Sequence, residues 1–293
     1  MSLLVSLCNR SRRRFYQERD VFLLRVDSET ADVTPVHLPG NVSQHANGMT
    51  GIARRPGGYV AVLAPASLLY LSESLEVEQV FHLNRVHDGH GIAYHDGVCY
   101  IASSGSDSVV AFSPAAGEKV FWAANDGGKD TLHVNSVLAG DRGCWITAFG
   151  PKSDQLWRSA NHGYVMNVAT GERVVTEIFH PHTLCAADSR MYWCDSSRMT
   201  VRSSTGDSYP FEHGYLRGLA ISEPRMFVGC TKGRNRSRST GQMIDNSADP
   251  GMLSGECGVA VCRRDSPQGE FREESFISLE SYGDEIFDIV IAE

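Results

Sequence analysis

Long apolar runs are missing from this sequence, and none approaches the roughly 18 residues that a membrane-spanning helix needs. The short apolar stretch at its start is followed, not preceded, by basic residues, which is the reverse of a secretory signal. No small-residue cleavage site comes after it. We therefore expect a cytoplasmic protein with no membrane partner.

Paired cysteine motifs are also missing. The eight cysteines are scattered through 293 residues without a CxxC pair, which is typical of buried free thiols in a reducing compartment rather than of a disulfide framework. Cys194 and Cys230 end two predicted second strands, at places where other units carry small residues. Core packing is the expected role for both, ahead of a catalytic thiol.

Several standard motifs are absent as well. No G-x-S-x-G, P-loop or dinucleotide fingerprint occurs, which disfavours the usual serine hydrolases and nucleotide enzymes and predicts no nucleotide cofactor. The formal net charge of −8 disfavours a nucleic-acid partner. The pattern specifies no oligomeric state.

A repeat of short strands and tight turns runs through the chain, and no long helical periodicity accompanies it. Each repeat begins with strand, turn, strand and continues with a third strand, a Gly-containing turn and a fourth. The five openings are "GMTGIARRPGGYVAVLAP" (48–65), "GHGIAYHDGVCYIASS" (89–104), "HVNSVLAGDRGCWITAFG" (133–150), "PHTLCAADSRMYWCDSS" (181–197) and "LRGLAISEPRMFVGCTKG" (216–233).

The two chain ends supply the sixth unit. The final "EIFDIVIAE" (285–293) reads as a first strand with nothing after it, and "SLLVSLC", "VFLLRVD" and "ADVTPVHL" read as second, third and fourth strands. Joining them removes the exposed edges of an open sheet. The sequence therefore predicts one domain over 1–293, an all-β, six-bladed β-propeller whose terminal strands share one blade. A β-sandwich is the alternative, but it does not explain the complementary ends.

Polar residues precede each inner strand, where the loops of a propeller meet at one mouth of the central channel. We aligned the units on the small residues Gly51, Gly91, Ser136, Thr183, Gly218 and Asp288. The residues just before these are Thr50, His90, Asn135, His182, Arg217 and Phe287. Two positions earlier stand Gly48, Asp88, His133, His180, Tyr215 and Glu285. Because side chains alternate along a strand, each pair shares a direction.

Eight of the eleven histidines lie before inner strands: 45, 82, 87, 90, 133, 180, 182 and 213. Imidazoles from separate strands can hold a transition metal with an open coordination position. The pattern predicts Fe or Cu, and less readily Zn, on His90, His133 and His182, with His45 as an optional fourth ligand. A polar mouth without a metal is the alternative. Glu285 and Asp88 would orient ligands or act as a general base.

Two basic loops are predicted beside the same mouth. The loop 9–20 carries Arg12, Arg13 and Arg14, and the polar insertion 232–256 of the neighbouring blade carries Arg234 and Arg236. Guanidinium groups suit carboxylate or phosphate recognition. These arginines, with His180 and His213, are the predicted substrate-binding residues, and a solvated loop is the alternative reading of the arginines. Arg217 would extend the patch into the channel.

The units "HGIAYHDGVCYIASSGSDSVVAFSP", "VNSV" and "RGLAIS" resemble inner-strand motifs of a six-bladed propeller superfamily. That superfamily contains gluconolactonases (the senescence marker protein group), strictosidine synthase and related esterases. The repeat pattern covers nearly the whole chain. Gluconolactonase-like members hold a divalent metal with a Glu, two Asn and an Asp, and here Asn135 and Glu285 match whereas the other places hold His90, His182 and Arg217. The difference disfavours calcium-type lactonase chemistry and favours a softer, imidazole-preferring metal.

The chain is also similar to an uncharacterised bacterial propeller family with these histidine motifs, which implies no activity. Our leading hypothesis is a metalloenzyme acting on a small anionic substrate, with Glu285, Asn135 and Arg217 as catalytic residues. Oxidative chemistry is slightly favoured over hydrolase or lyase chemistry, because no carboxylate ligand is evident. Two alternatives are a non-catalytic propeller that binds an acidic peptide or metabolite, and a metal-free enzyme with His133 or His182 as general base.

Overall fold

A computed structural model describes residues 1–8, 21–44, 46–124, 129–233 and 255–292. Strands dominate these ranges. No helix in them is both long enough and apolar enough to cross a membrane. In these same ranges the helical pieces are α1 (Gly40–Ser43) and three single 3₁₀ turns at Ser104–Ser106, Trp157–Ser159 and Ser196–Arg198.

The described residues form strands that we number in chain order. The first twelve are β1 (Ser2–Leu7), β2 (Leu23–Asp27), β3 (Val33–Val36), β4 (Gly48–Arg55), β5 (Gly58–Ala64), β6 (Ser67–Ser72), β7 (Val77–His82), β8 (Gly89–His95), β9 (Val98–Ser103), β10 (Ser108–Ser113), β11 (Gly117–Ala123) and β12 (Val134–Gly140). The others are β13 (Gly143–Ala148), β14 (Gly163–Asn167), β15 (Arg173–Ile178), β16 (Pro181–Ala187), β17 (Arg190–Asp195), β18 (Thr200–Ser203), β19 (Ser208–Pro210), β20 (Tyr215–Ser222), β21 (Arg225–Thr231), β22 (Gly258–Arg263), β23 (Arg272–Ser278) and β24 (Ile286–Ile291).

These strands form six four-stranded antiparallel sheets, which we call blades 1 to 6. Blade 1 has the order β24-β1-β2-β3, and blades 2 to 6 take the following strands four at a time. The strands β4, β8, β12, β16, β20 and β24 contact one another in a closed circle, so they line the channel. The predicted six-bladed propeller is confirmed, as is the blade shared by the two termini, where Leu3 pairs with Ile291.

The hydrophobic core lies between blades rather than at the centre of the ring. Each main cluster of buried side chains joins two neighbouring blades; in one of them, Leu3 and Val5 of blade 1 pack with Phe227 and Val259 of blade 6. Burying such side chains stabilises the fold by about 1.5–3 kcal/mol each. Cys194 and Cys230 are fully buried in the cluster between blades 5 and 6, as core packing predicts.

Polar side chains near the channel bind the next blade's backbone. The amide of Leu184 donates to Ser136 Oγ at 3.2 Å and that of Gly218 to Thr183 Oγ1 at 3.0 Å. The amide of Ile52 donates to Asp288 Oδ2 at 3.3 Å. The acceptors Ser136, Thr183 and Asp288 occupy three of the six small-residue positions used to align the repeats. At each of these positions a side-chain oxygen links successive blades.

A β-bulge interrupts the pairing of every inner strand at its mouth end. In β12, for example, Val134 pairs with Ala148 and Ser136 with Thr147, which leaves Asn135 outside the register. Similar shifts occur in the other five blades. A bulge bends the strand and redirects a side chain. The six bulges therefore act on the residues that the sequence places at the channel mouth.

Candidate functional site

The channel mouth is encircled by side chains in mutual contact. We call Thr50, His90, Asn135, His182, Arg217 and Phe287 the mouth ring. Contacts between side chains close a circuit that includes four of these residues and three neighbours. On one side, the aromatic ring of His90 contacts His133 (centroids 5.1 Å apart), His133 contacts Phe149 (4.6 Å) and Phe149 contacts His182 (5.1 Å). On the other side, His182 contacts Tyr215 (5.3 Å), the Arg217 guanidinium lies 5.6 Å from Tyr215 and 4.4 Å from Phe287, and Phe287 contacts His90 (5.8 Å). The structure therefore brings the three predicted metal ligands and Arg217 into one cluster.

Strained backbone marks the entry to three consecutive inner strands. Asp88, His133 and His180 have φ of 53°, 53° and 55° and occupy the same aligned position, two residues before the mouth ring. Non-glycine residues adopt this left-handed region rarely and at a cost of order 1–3 kcal/mol, and such strain concentrates at functional sites.

His90 is held in one tautomer. Its Nδ1 lies 3.0 Å from the backbone oxygen of Asp88 and 2.9 Å from Ser104 Oγ. The Ser104 hydroxyl donates its own proton to the backbone oxygen of Val134 at 2.8 Å, so both neighbours of the imidazole accept. The proton must therefore lie on Nδ1, which leaves a lone pair on Nε2.

His182 repeats this arrangement two blades away. Its Nδ1 donates to the backbone oxygen of His180 at 3.0 Å and lies 2.9 Å from Ser196 Oγ. The buried Nε2 of His182 has no hydrogen-bond partner among the described residues. A buried lone pair without a partner is uncommon in folded proteins and points to a ligand.

His133 is oriented by a carboxylate. Its Nδ1 lies 3.1 Å from Asp130 Oδ1, and its ring packs on Phe149 and Trp157, each with its centroid 4.6 Å away. Because a carboxylate only accepts, Nδ1 carries the proton and Nε2 the lone pair, as in the other two histidines.

Burial and positive charge keep the deeper imidazoles neutral. Burial lowers the pKa of His90 and of His180 to about 4, and that of His182 well below its usual value. The Arg217 charge lowers all three pKa values further, whereas Asp88 works in the opposite direction on His90. At neutral pH these three imidazoles are therefore neutral and lie near the buried guanidinium of Arg217.

The three predicted catalytic residues are all buried at the mouth. Asn135, Arg217 and Glu285 are 3%, 8% and 3% exposed. Asn135 Nδ2 has no hydrogen-bond partner within the described ranges. The three residues therefore present little surface to solvent.

Of the remaining predicted site residues, one belongs to this cluster, one lies outside it and six lie outside the described residues. His180 stacks on Phe149 at 4.8 Å and belongs to the cluster. His213 does not, because its ring stacks on Phe276 at 4.0 Å and its Nε2 binds Glu273 at 2.8 Å, both on β23. Six predicted site residues lie outside the described residues: His45, Arg12, Arg13, Arg14, Arg234 and Arg236.

The described part of the chain contains no preformed metal-binding site, because no three of its His, Cys, Asp or Glu side chains are placed to hold one ion. The donors themselves suit a transition metal, since metal-bound histidines usually donate their other N–H to a carbonyl or carboxylate, as these three do. His45, the optional fourth ligand, lies outside the described residues.

Sequence reasoning missed Ser104, Ser196, Asp130, Phe149 and Trp157. One signal was present: each serine follows its histidine by 14 residues, at the end of the adjacent second strand. Phe149 and Trp157 come from the connection between β13 and β14, whose path across the mouth no periodicity predicts.

The fold and the site together define a six-bladed β-propeller with a histidine-lined channel mouth. The chain belongs to the family described as a domain of unknown function (DUF4915), whose model matches residues 63–293. No curated protein matches it in sequence. The predicted six-bladed fold is confirmed, whereas the predicted likeness to the gluconolactonase and strictosidine synthase group is not.

Solved structures have a similar fold at low identity. A chain of a nidogen/laminin complex has a TM-score of 0.65 at 9% identity, over 98% of this chain and 96% of that one. A streptogramin B lyase has a TM-score of 0.52 at 12% identity, over 81% and 72%. A "putative 6-phosphogluconolactonase" from Bacteroides fragilis NCTC 9343 also scores 0.52 at 12% identity, over 99% and 97%.

Proposed function

We propose that the protein is an enzyme of the hydrolase or lyase type that binds a small anionic substrate at the mouth ring and accepts its proton on a histidine. The observation that carries this proposal is the common tautomer of His90, His133 and His182. Each holds its Nδ1 against an acceptor, so each keeps an Nε2 lone pair available. Fold alone assigns no reaction.

Arg217 supplies the anion specificity. Its guanidinium lies 4.4 Å from the Phe287 ring and 5.6 Å from the Tyr215 ring, in a buried position that suits a carboxylate or phosphate. Its charge lowers the pKa of His90 and His182. A bound anion would offset that charge and make a neighbouring imidazole a better proton acceptor, so the substrate itself would activate the base.

Two hydrogen-bonding groups of the mouth further restrict the class of substrate. Asn135 Nδ2 is a donor and His182 Nε2 is an acceptor, and neither has a partner among the described residues. A substrate that satisfies both needs an acceptor oxygen and an O–H or N–H near its anionic group. Hydroxylated or amide-bearing acids meet this requirement.

Ligand-induced stabilisation against a panel of small anions tests this proposal. The panel contains acetate, malate, N-acetylglycine, inorganic phosphate and glycerol phosphate, and turnover is followed by proton NMR. A ligand at 100 times its Kd stabilises the folded state by about 2.7 kcal/mol, which is a readily measured shift in Tm.

We expect at least one hydroxylated or amide-bearing anion to raise Tm and be converted by the wild type, with both effects lost in Arg217→Gln. The matched control is Arg142→Gln, which removes the same charge from the exposed turn between β12 and β13 at the opposite end of the inner strands. Binding without turnover would overturn the enzyme proposal in favour of a binding module. Equal binding by Arg217→Gln would overturn the assignment of Arg217.

A metal-dependent enzyme is the second candidate, favoured by the carbonyl and carboxylate partners of the three Nδ1 atoms. His90, His133 and His182, with His45, would hold Fe or Cu, and less readily Zn. Such an ion would supply redox or Lewis-acid chemistry. The buried charge of Arg217 acts against a cation at the same mouth, which places this candidate second.

Metal analysis separates the two candidates. The metal-dependent enzyme predicts about one equivalent of metal in untagged protein, a Tm that falls on chelation, and loss of metal from both His90→Gln and His133→Gln. His95→Gln, which changes a histidine at the opposite end of β8 from His90, is the control. Less than about a tenth of an equivalent, with no Tm response to added Fe(II), Cu(II) or Zn(II), would exclude this candidate.

A further inference from the structure

We propose that Asp130 is a positioning residue that fixes the proton of His133 on Nδ1 and thereby makes His133 Nε2 the proton acceptor of the site. This inference rests on the proposed function, because it assigns the base of that same reaction. Asp130 lies three residues before His133 and its carboxylate lies 3.1 Å from Nδ1.

The partner of Nδ1 distinguishes His133 from the other imidazoles of the mouth. His90 and His182 donate to neutral acceptors, a backbone oxygen and a serine hydroxyl. Only a carboxylate gains strongly when the ring becomes an imidazolium, since the hydrogen bond then joins two full charges. Of these three histidines, His133 is therefore the one whose surroundings favour taking up a proton.

Packing holds the His133 ring in the orientation that this contact requires. Trp157 lies over it at 4.6 Å with 37° between the planes, Phe149 lies at 4.6 Å, and His90 meets it edge-on at 5.1 Å. The backbone of His133 also has a left-handed φ of 53°, which non-glycine residues rarely adopt. The ring packing therefore holds His133 in one orientation, and backbone strain of this kind is typical of functional sites.

Exposure fits the same role. As whole residues, His133 is 8% exposed and His182 is 3% exposed, and the Asp130 side chain is 28% exposed, so the pair lies nearer to solvent than His182 does. A proton accepted at His133 can pass to water, and one accepted by the fully enclosed His182 cannot do so as readily.

The step balances without a further reagent. The Nε2 lone pair of His133 takes a proton from an O–H or C–H of the substrate, and the bonding electron pair stays on the substrate oxygen or carbon. Asp130 keeps its charge and stabilises the imidazolium through the Nδ1–H hydrogen bond, without taking the proton.

The tautomer of His133 can be read directly from long-range proton–nitrogen NMR spectra, with His133→Gln used to assign the signal. We expect the Nδ1–H form in the wild type at neutral pH. In Asp130→Asn the ratio of the two tautomers should shift by about tenfold to a hundredfold toward Nε2–H, because a hydrogen bond to a charged partner is lost. Asp130→Glu, which restores a carboxylate, should retain much of the Nδ1–H form.

Asp88→Asn is the matched control. Asp88 stands at the same aligned entry position as His133, and its carboxylate acts on His90 through space while its backbone oxygen accepts the His90 proton. Removing the side-chain charge leaves that backbone oxygen in place. The His90 tautomer should therefore not change in Asp88→Asn.

An Nε2–H tautomer in the wild type, or an unchanged tautomer in Asp130→Asn, overturns the inference whatever the anion panel gives. With a converted substrate in hand, Asp130→Asn should lower kcat by about a hundredfold or more with little change in KM, and Asp130→Glu should recover part of the loss. An unchanged kcat would also overturn it. If the tautomer behaves as expected and no anion is converted, the proposed function fails and the contact between Asp130 and His133 keeps only a structural role.

Discussion

His90 and Ser104 lie 2.9 Å apart, in a contact that His182 and Ser196 repeat at the same distance two blades away. Both serines are completely buried and both begin a 3₁₀ turn that follows a second strand. The mouth therefore contains two copies of one arrangement, in which a buried serine hydroxyl positions a histidine ring.

Removing the Ser104 hydroxyl tests whether this contact stabilises the fold. Ser104→Ala should lower the free energy of unfolding by about 1–3 kcal/mol, because His90 and the backbone oxygen of Val134 each lose a buried partner. Urea unfolding monitored by circular dichroism measures the change. Ser113→Ala, at the end of β10 beside an exposed turn, is the control and should stay within about 0.5 kcal/mol of wild type. Equal losses in the two variants would contradict the assignment.

Stability should fall in mild acid. The pKa of His90 and of His180 is about 4 in the folded state against 6.5 ordinarily, so these histidines bind protons more readily when unfolded. Their contribution to stability is present above pH 6.5 and is lost as pH falls to 4, by roughly 1.4 kcal/mol per unit of pKa difference. Urea unfolding at pH 7, 6 and 5 should show a shallower decline for His90→Gln than for the wild type. An identical decline in both proteins would exclude His90 as a cause.

Asp288 should have the opposite pH dependence. Burial raises its pKa from 3.8 to about 7, so its protonated form favours the folded state, and that contribution is lost as pH rises from about 4 to 7. Ser136 and Thr183 bind the next blade with a hydroxyl at equivalent positions. We therefore expect Asp288→Ser to raise the free energy of unfolding at pH 8, and to do so much less at pH 4. A larger gain at pH 4 would refute this explanation.

Gly229 leaves room for the bulge that presents Arg217. A Cβ at position 229 would lie 1.9 Å from the backbone oxygen of Arg217 and 2.8 Å from Ile286 Cγ2. Gly229→Ala should therefore destabilise the protein by several kcal/mol, since the obstacle is backbone. The control is Gly140→Ala, where a Cβ meets no atom within 4 Å, and it should be nearly neutral in thermal unfolding. A neutral Gly229→Ala would show that the bulge can relax.

The aligned repeats predicted the mouth ring well because each blade reuses one local pattern. His90, His182 and Arg217 precede a small residue at the same position, and the inter-blade contacts confirm that these positions meet. The same reasoning could not separate His213 from them. Its entry loop is equivalent, yet its ring pairs with Phe276 and Glu273, which lie about 60 residues later in the chain.

The sequence by itself determined the number of blades, the closure of the ring by strands from the two chain ends, and the positions that face the mouth. These features follow from strand periodicity and turn chemistry, which are local and repeat in every unit. Only the tertiary structure decided which nitrogen of each histidine carries the proton. That choice depends on Asp130, Ser104 and Ser196 and on the packing of Phe149 and Trp157, and a hydrogen bond is set by distances of about 3 Å that a sequence pattern does not specify.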